Sequence, residues 1–274
     1  MSCLLFAAPA FAQDAPAAWD QETLDLFATL PVQDQGRVKP LDTYARFTML
    51  RINGKRSYTT EAGTEVPPPM RMFADSDVPY RLSPLEWLLN CWFYPETAKT
   101  YRCFVVDAAD AVAAIGVEVH AKTRDRYTYN ELASGREALF RLASAYEEID
   151  GKDRSRLQQQ VLHLADNLLE FEGLVHFFDF ARQRFAVEGD TAFAEALGHA
   201  DGVAMSTVLT RAPEVLRSVS ERVQEMDEAA LTEEREALHS LFEQLDDAVF
   251  YAQRPALFPP GDPGERAWRS PADL

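Results

Sequence analysis

The stretch RLQQQVLHLADNLLEFEGLVHFF, Arg156 to Phe178, places Leu157, Val161, Leu164, Leu168, Phe171, Val175 and Phe178 at spacings that alternate between four and three. An apolar seam of that kind belongs to a helix that packs along its length. The spacing predicts one dominant helix from Asp153 to about Val187. A second run, Thr232 to Ala252, carries Leu238, Leu241, Leu245 and Val249 in the same rhythm. It predicts another long helix, packed side by side with the first. The expected fold class is mostly α: a helical domain with two long antiparallel helices and a few short extended segments.

Between these helices, residues 190–226 read as shorter helices broken at Gly198, Gly202 and Pro213. Upstream, WDQETLDLFATL predicts a short helix, and Asp42 or Thr43 can cap the next, which Gly54 stops. Residues 55–80, with Pro67, Pro68 and Pro69, form a connector without periodicity. SPLEWLLNCWF then opens a helix with Ser83 as cap, Pro84 in the first position and Glu86 completing a capping box. RCFVVD reads as a short strand whose Asp107 caps the helix AADAVAAIG. RYTYNEL reads as another extended piece before a helix from about Glu131 to Ile149.

The chain has 274 residues and a net charge of −17, which repels phosphate backbones and excludes nucleic acid as an expected partner. The opening MSCLLFAAPAFAQDAPA has an apolar core and an Ala10-Phe11-Ala12 ending, the pattern of a signal peptide over residues 1–12, although a basic start is missing. The competing reading is a short helix packed on the core. Residues 13–268 are then one extracytoplasmic, mostly helical domain. The final RSPADL repeats the capping logic at Ser270, Pro271 and Asp273, so residues 269–274 read as the start of a truncated helix that continues into a membrane span. The competing reading is the frayed end of a secreted chain.

Removing the leader leaves Cys91 and Cys103. In an oxidising compartment they can form a disulfide, while their apolar contexts suit two packed, reduced thiols equally well. No nucleotide, hydrolase or zinc motif occurs. The best local cluster is Glu172, His176 and Asp179, which a continuous helix sets on one face. Its ordinary reading is a set of local charge pairs, and a metal would need a further ligand from His163, His199 or His239. There is no Cys-x-x-Cys-His, so none of the five histidines, His120 included, is assigned to haem.

One segment fits none of these classes. LPVQDQGRVKPLDTYARF, Leu30 to Phe47, is broken by Pro31, Gly36 and Pro40 and becomes helical only afterwards. It resembles the signature LPVQDGGRxKPLDTxA of the extracytoplasmic portion of bacterial cytochrome c biogenesis proteins of the CcsA type, especially the large fused forms. The resemblance continues through SPLEWLL, VVDAADAVAAIGV, RYTYNEL and the terminal LFPP and SPADL segments. Gln35 stands where one of the signature's two adjacent glycines is usual.

That resemblance implies a soluble companion domain of the membrane machinery that carries haem outward and attaches it to apocytochrome c. It implies a periplasmic location, tethered to the inner membrane. Its partners would be the membrane-embedded biogenesis component and apocytochrome c. The cofactor haem would belong to the parent cytochrome c synthase machinery and none would be bound by this domain, because the Trp-rich loop and flanking histidines of the haem-handling core are missing. Asp34, Gly36, Arg37, Lys39, Pro40 and Asp42 match the motif. They are expected to build a tight turn first, with docking as the sharper role. The other functional class is an independent exported helical scaffold or binding protein.

Overall fold

Strands are short throughout the described residues, and they pair in twos, as four separate antiparallel ribbons: Pro31–Asp34 with Arg37–Pro40, Tyr58–Thr59 with Arg81–Leu82, Phe104–Val106 with Asp125–Tyr127, and Arg184–Phe185 with Val203–Ala204. Helices carry the rest of the architecture, so the fold is mostly α. The computed structural model describes residues 19–60, 81–121, 123–187, 191–197, 202–223, 226–261, 267–270 and 273. The leader, the Pro67–Pro69 connector, Gly198, His199 and Pro271 lie outside them.

The capping logic of the sequence is realised at several helix starts. Ser83 accepts from the Glu86 N–H and Glu86 accepts from the Ser83 N–H, with Pro84 opening the helix Pro84–Phe93. Thr128 with Glu131 and Ser155 with Gln158 form the same box. Two expected caps are corrected. The residue before the helix Leu41–Asn53 is Pro40, which has no side-chain cap, and Asp42 falls inside the first turn. Asp107 likewise does not cap Ala109–Ala114, whose preceding residue is Ala108.

The seam helix spans Arg156–Val175 and stops well before Val187. Past its end Arg182 donates to the carbonyl of Val175, at 2.7 Å, an acceptor that a further turn would use, and to the carbonyl of Trp92 in the helix Pro84–Phe93. Phe177 and Phe178 still reach the core, stacked against Trp92 and Phe93. The helix expected from Glu131 to Ile149 is two pieces, Tyr129–Ala133 and Arg136–Glu147. Gly135 divides them, and a Cβ there would lie 2.8 Å from the Ile115 carbonyl oxygen. Pro213 does not break its helix, Met205–Val223, which runs through it.

The two long seams face different partners. Val161, Leu164, Leu168, Phe171 and Val175 join a large cluster with Met49, Trp87, Trp92, Phe104 and Tyr127. The second long helix, Glu228–Phe250, gives Leu241 and Ala248 to a smaller cluster with Phe185, Phe193, Leu197 and Val215. The expected side-by-side packing of the long helices is therefore replaced by two clusters. Each buried Leu or Phe contributes about 1.5–3 kcal/mol, and Phe171, fully buried between Trp87, Phe104 and Tyr129, is the single side chain whose loss most directly opens the larger one. The turn Tyr251–Gln253 brings the chain back against the seam helix.

Candidate functional site

The motif segment folds as a hairpin with a two-residue turn. Pro31 faces Pro40, Val32 faces Lys39, Gln33 faces Val38 and Asp34 faces Arg37. At the tip, Gln35 has φ 51° and Gly36 φ 74°, both left-handed, as a turn matching the strand twist requires. Gly36 adopts this conformation freely. Gln35 does so at a cost of about 1 kcal/mol.

Strand alternation turns Val32 and Asp34 inward. Lys39 lies diagonally across and donates to Asp34 at 2.8 Å, so a carboxylate only 9% exposed has its cation. Asp42 pairs with Arg46 at 2.7 Å along the next helix and sits at its positive end. Arg37 and Pro40 are exposed. Of the motif residues, then, Asp34, Gly36, Lys39 and Asp42 have local structural work, and Arg37 is the charged side chain left facing outward.

The outer edge of the hairpin is covered by the end of the chain. Gln33 and Ala256 exchange both backbone hydrogen bonds, at 2.9 and 3.1 Å, and Phe258 pairs with Arg269 in the same antiparallel manner. The Ser270 N–H and hydroxyl both donate to Asp273, at 2.6 and 2.7 Å, holding its carboxyl below the usual range. A cavity of about 360 Å³ lies where Gln35, Gly36, Arg254, Trp268 and Asp273 meet.

A larger cavity of about 570 Å³ opens between the hairpin, the helix Leu41–Asn53, the seam helix and the returning turn. Asp34, Tyr44, Arg51, Glu170 and Tyr251 line it, and Leu169 (47% exposed) and Phe250 (56% exposed) stand among its lining residues. Burial raises the Glu170 carboxyl, and Arg51, ion-paired to it, offsets that in part, while the nearby Asp34 charge adds to the rise. Thr48 donates to the same carboxylate at 3.4 Å. Burial also pushes the Tyr44 hydroxyl well up. The cavity thus combines charged and aromatic side chains with partly exposed apolar residues, an arrangement that suits ligand recognition.

The cluster singled out from the sequence divides. Glu172, 1% exposed, accepts from Arg136 Nε and Nη2 at 2.6 and 2.8 Å and from the Tyr129 hydroxyl at 3.1 Å. Burial first, and then the Glu172 charge, push Tyr129 up to about 12. His176, at the end of the helix, instead bonds Asp179 at 2.6 Å. Burial would raise Asp179, but hydrogen bonds from His176 and Arg182 prevail and its pKa is lowered. His176, Asp179 and Arg182 form local charge pairs, the ordinary reading, but Glu172 departs from it: it is buried, and its partner Arg136 lies 36 residues away on another helix. Among the described residues no group of three or more His, Cys, Asp or Glu side chains is placed to hold a metal ion.

Cys91 and Cys103 are both fully buried free thiols, near enough that the charge of one would raise the other. No helix among the described residues is long and apolar enough to cross a membrane. The Glu170–Arg51 and Glu172–Arg136 pairs escaped sequence reasoning. Their one signal is a pair of glutamates flanking the seam position Phe171, where a solvated face alone would not turn both inward. Compared with known proteins, the chain is matched by no family model and by no curated sequence.

Proposed function

We propose that this chain is an extracytoplasmic companion domain of a membrane-bound cytochrome c biogenesis machinery, acting in assembly or docking. Haem is handled by the membrane component and not by this domain. The observation that carries the reading is the Gln33–Ala256 pairing: it joins the segment with the most specific resemblance to the residue directly before the terminal segment that also shares it. Two stretches more than two hundred residues apart, both similar to one family, form one continuous surface with Arg37 exposed on it. A surface of this kind suits contact with a protein partner.

The experiment is deletion of this domain with the membrane component kept, read by haem staining of c-type cytochromes on denaturing gels. Covalent haem attachment is expected to fall, and the charge-reversing Arg37→Glu change is expected to lower it while leaving the fold intact. Unchanged staining in the deletion removes the assembly role. A stoichiometric Soret band on adding haem to the isolated chain overturns the companion reading in favour of a carrier.

A further inference from the structure

The ribbon of Tyr58–Thr59 with Arg81–Leu82 stands beside the end of the helix Leu41–Asn53, and a pocket of about 210 Å³ opens there. Its lining among the described residues is Asn53, Lys55, Ser57, Tyr58, Thr59, Arg102 and Arg126: three cations, three hydroxyl side chains and no carboxylate. In a chain of net charge −17 such a concavity runs against the overall field.

Its two guanidinium groups are held in place. Arg126 donates through Nε to Asn53 Oδ1 at 3.1 Å and through Nη2 to the Asn53 carbonyl at 3.3 Å, both neutral acceptors. Arg102 donates through Nη1 to the Arg126 carbonyl at 3.2 Å and through Nη2 to Glu131 at 2.5 Å, while its backbone N–H donates to the Tyr58 hydroxyl at 2.9 Å. Each fork keeps further N–H donors beyond these contacts. Among the described residues, only Arg102 of the three cations has a carboxylate partner. Lys55 is exposed and makes no hydrogen bond or ion pair within the described residues.

Asn53 is itself fixed, donating to the Ser57 carbonyl at 2.8 Å. The acceptors that orient Arg126 are thus buried and rigid. A structural role for Arg126 alone, neutralising the end of the helix, accounts for its bond to the Asn53 carbonyl. It does not account for Lys55 and a second guanidinium converging on the same pocket.

We infer that this pocket binds a small oxyanion, the phosphate or carboxylate group of a small molecule, through Arg126, Arg102 and Lys55. Fixed guanidinium forks match the paired oxygens of both groups, and an added ammonium supplies charge without geometric demand. The site lies apart from the motif hairpin and stands or falls independently of the function proposed above.

The test titrates the full chain by calorimetry with inorganic phosphate and, separately, with acetate, at fixed ionic strength with chloride as the balancing anion. Saturable binding in the millimolar range or tighter is expected for at least one. A preference for phosphate identifies a phosphate-bearing ligand, and a preference for acetate a carboxylate-bearing one. Lys55→Gln, which removes no hydrogen bond or ion pair among the described residues, is expected to weaken binding about fivefold to tenfold, and Arg126→Gln to abolish it. No saturation with either anion overturns the site. So does binding that Lys55→Gln leaves unchanged, because a folded variant lacking the Lys55 ammonium must bind less well.

Discussion

Arg136 grips Glu172 with two parallel hydrogen bonds, 2.6 and 2.8 Å long, across the packing of two helices. The carboxylate is buried and the guanidinium only half so, so the pair is asymmetric: losing the arginine strands a charge inside, whereas losing the glutamate frees a cation that water can reach. Arg136→Ala is therefore expected to destabilise the chain by roughly 3 kcal/mol. The double change Arg136→Met with Glu172→Leu is expected to recover most of that loss. Urea unfolding of the three proteins checks it, and a double variant as unstable as the single one would remove the stranded-charge explanation.

The hairpin tip offers a change in the opposite direction. Asn is at home in the left-handed region that Gln35 is forced to occupy, and Asn-Gly suits this turn best. Gln35→Asn is expected to stabilise by about 0.5–1 kcal/mol and to raise the melting temperature by about 2 °C. Gly36→Ala, where a Cβ would meet no atom but φ remains positive, is expected to cost about 1 kcal/mol. Equal melting temperatures for the three proteins would mean that the tip does not hold this conformation in solution.

Glu170 sets a pH dependence with a definite sign. Its folded carboxyl lies above its ordinary value of 4.5, so the folded chain binds the proton more tightly than the unfolded chain. Its contribution is fully present below about 4.5 and is lost as pH rises through the folded value. Glu170→Gln has no such dependence. The stability of this variant relative to the parent is expected to rise between pH 4.5 and neutrality, and denaturant midpoints across that range measure it.

Asp179 acts with the reverse sign. Its folded pKa is below 3.8, so its contribution is present above that value and is lost as pH falls through the folded one. Asp179→Asn is expected to be most costly near neutral pH and least costly in acid. A cost that stays constant from pH 7 to pH 2 would show that the carboxylate charge is not what holds His176 and Arg182.

The two cysteines are expected to be inert until the chain opens. Burial pushes the Cys103 thiol up to about 12, and Cys91 is raised by burial and by its neighbour Cys103. A water-soluble alkylating reagent is expected to leave both unmodified in the folded chain and to label both after denaturation. Failure to label them after denaturation, with labelling restored by a reductant, would establish a bridge between them.

Much of the fold was legible in local chemistry. The seam from Leu157 to Val175, the capping box at Ser83 and Glu86, the strand at Phe104–Val106 and the break at Gly36 each follow from interactions within a few residues along the chain, and the structure holds all of them. What the seam could not specify was its partner. Apolar periodicity says which face is buried, yet any apolar surface satisfies it, so the two long helices with the same rhythm were free to serve different clusters.

The site divides in the same way. Sequence by itself determined the breaks at Pro31, Gly36 and Pro40 and the helix that follows, because proline and glycine restrict backbone angles directly, whereas the pairing of the two flanking strands into a hairpin came with the structure. Tertiary structure alone decided that Gln33 meets Ala256, that Arg51 and Arg136 come to Glu170 and Glu172, and that Lys55, Arg102 and Arg126 share one pocket. The physical reason is range: a buried carboxylate needs a cation within a few ångströms, and nothing in the order of residues says which of many arginines the packing will bring there.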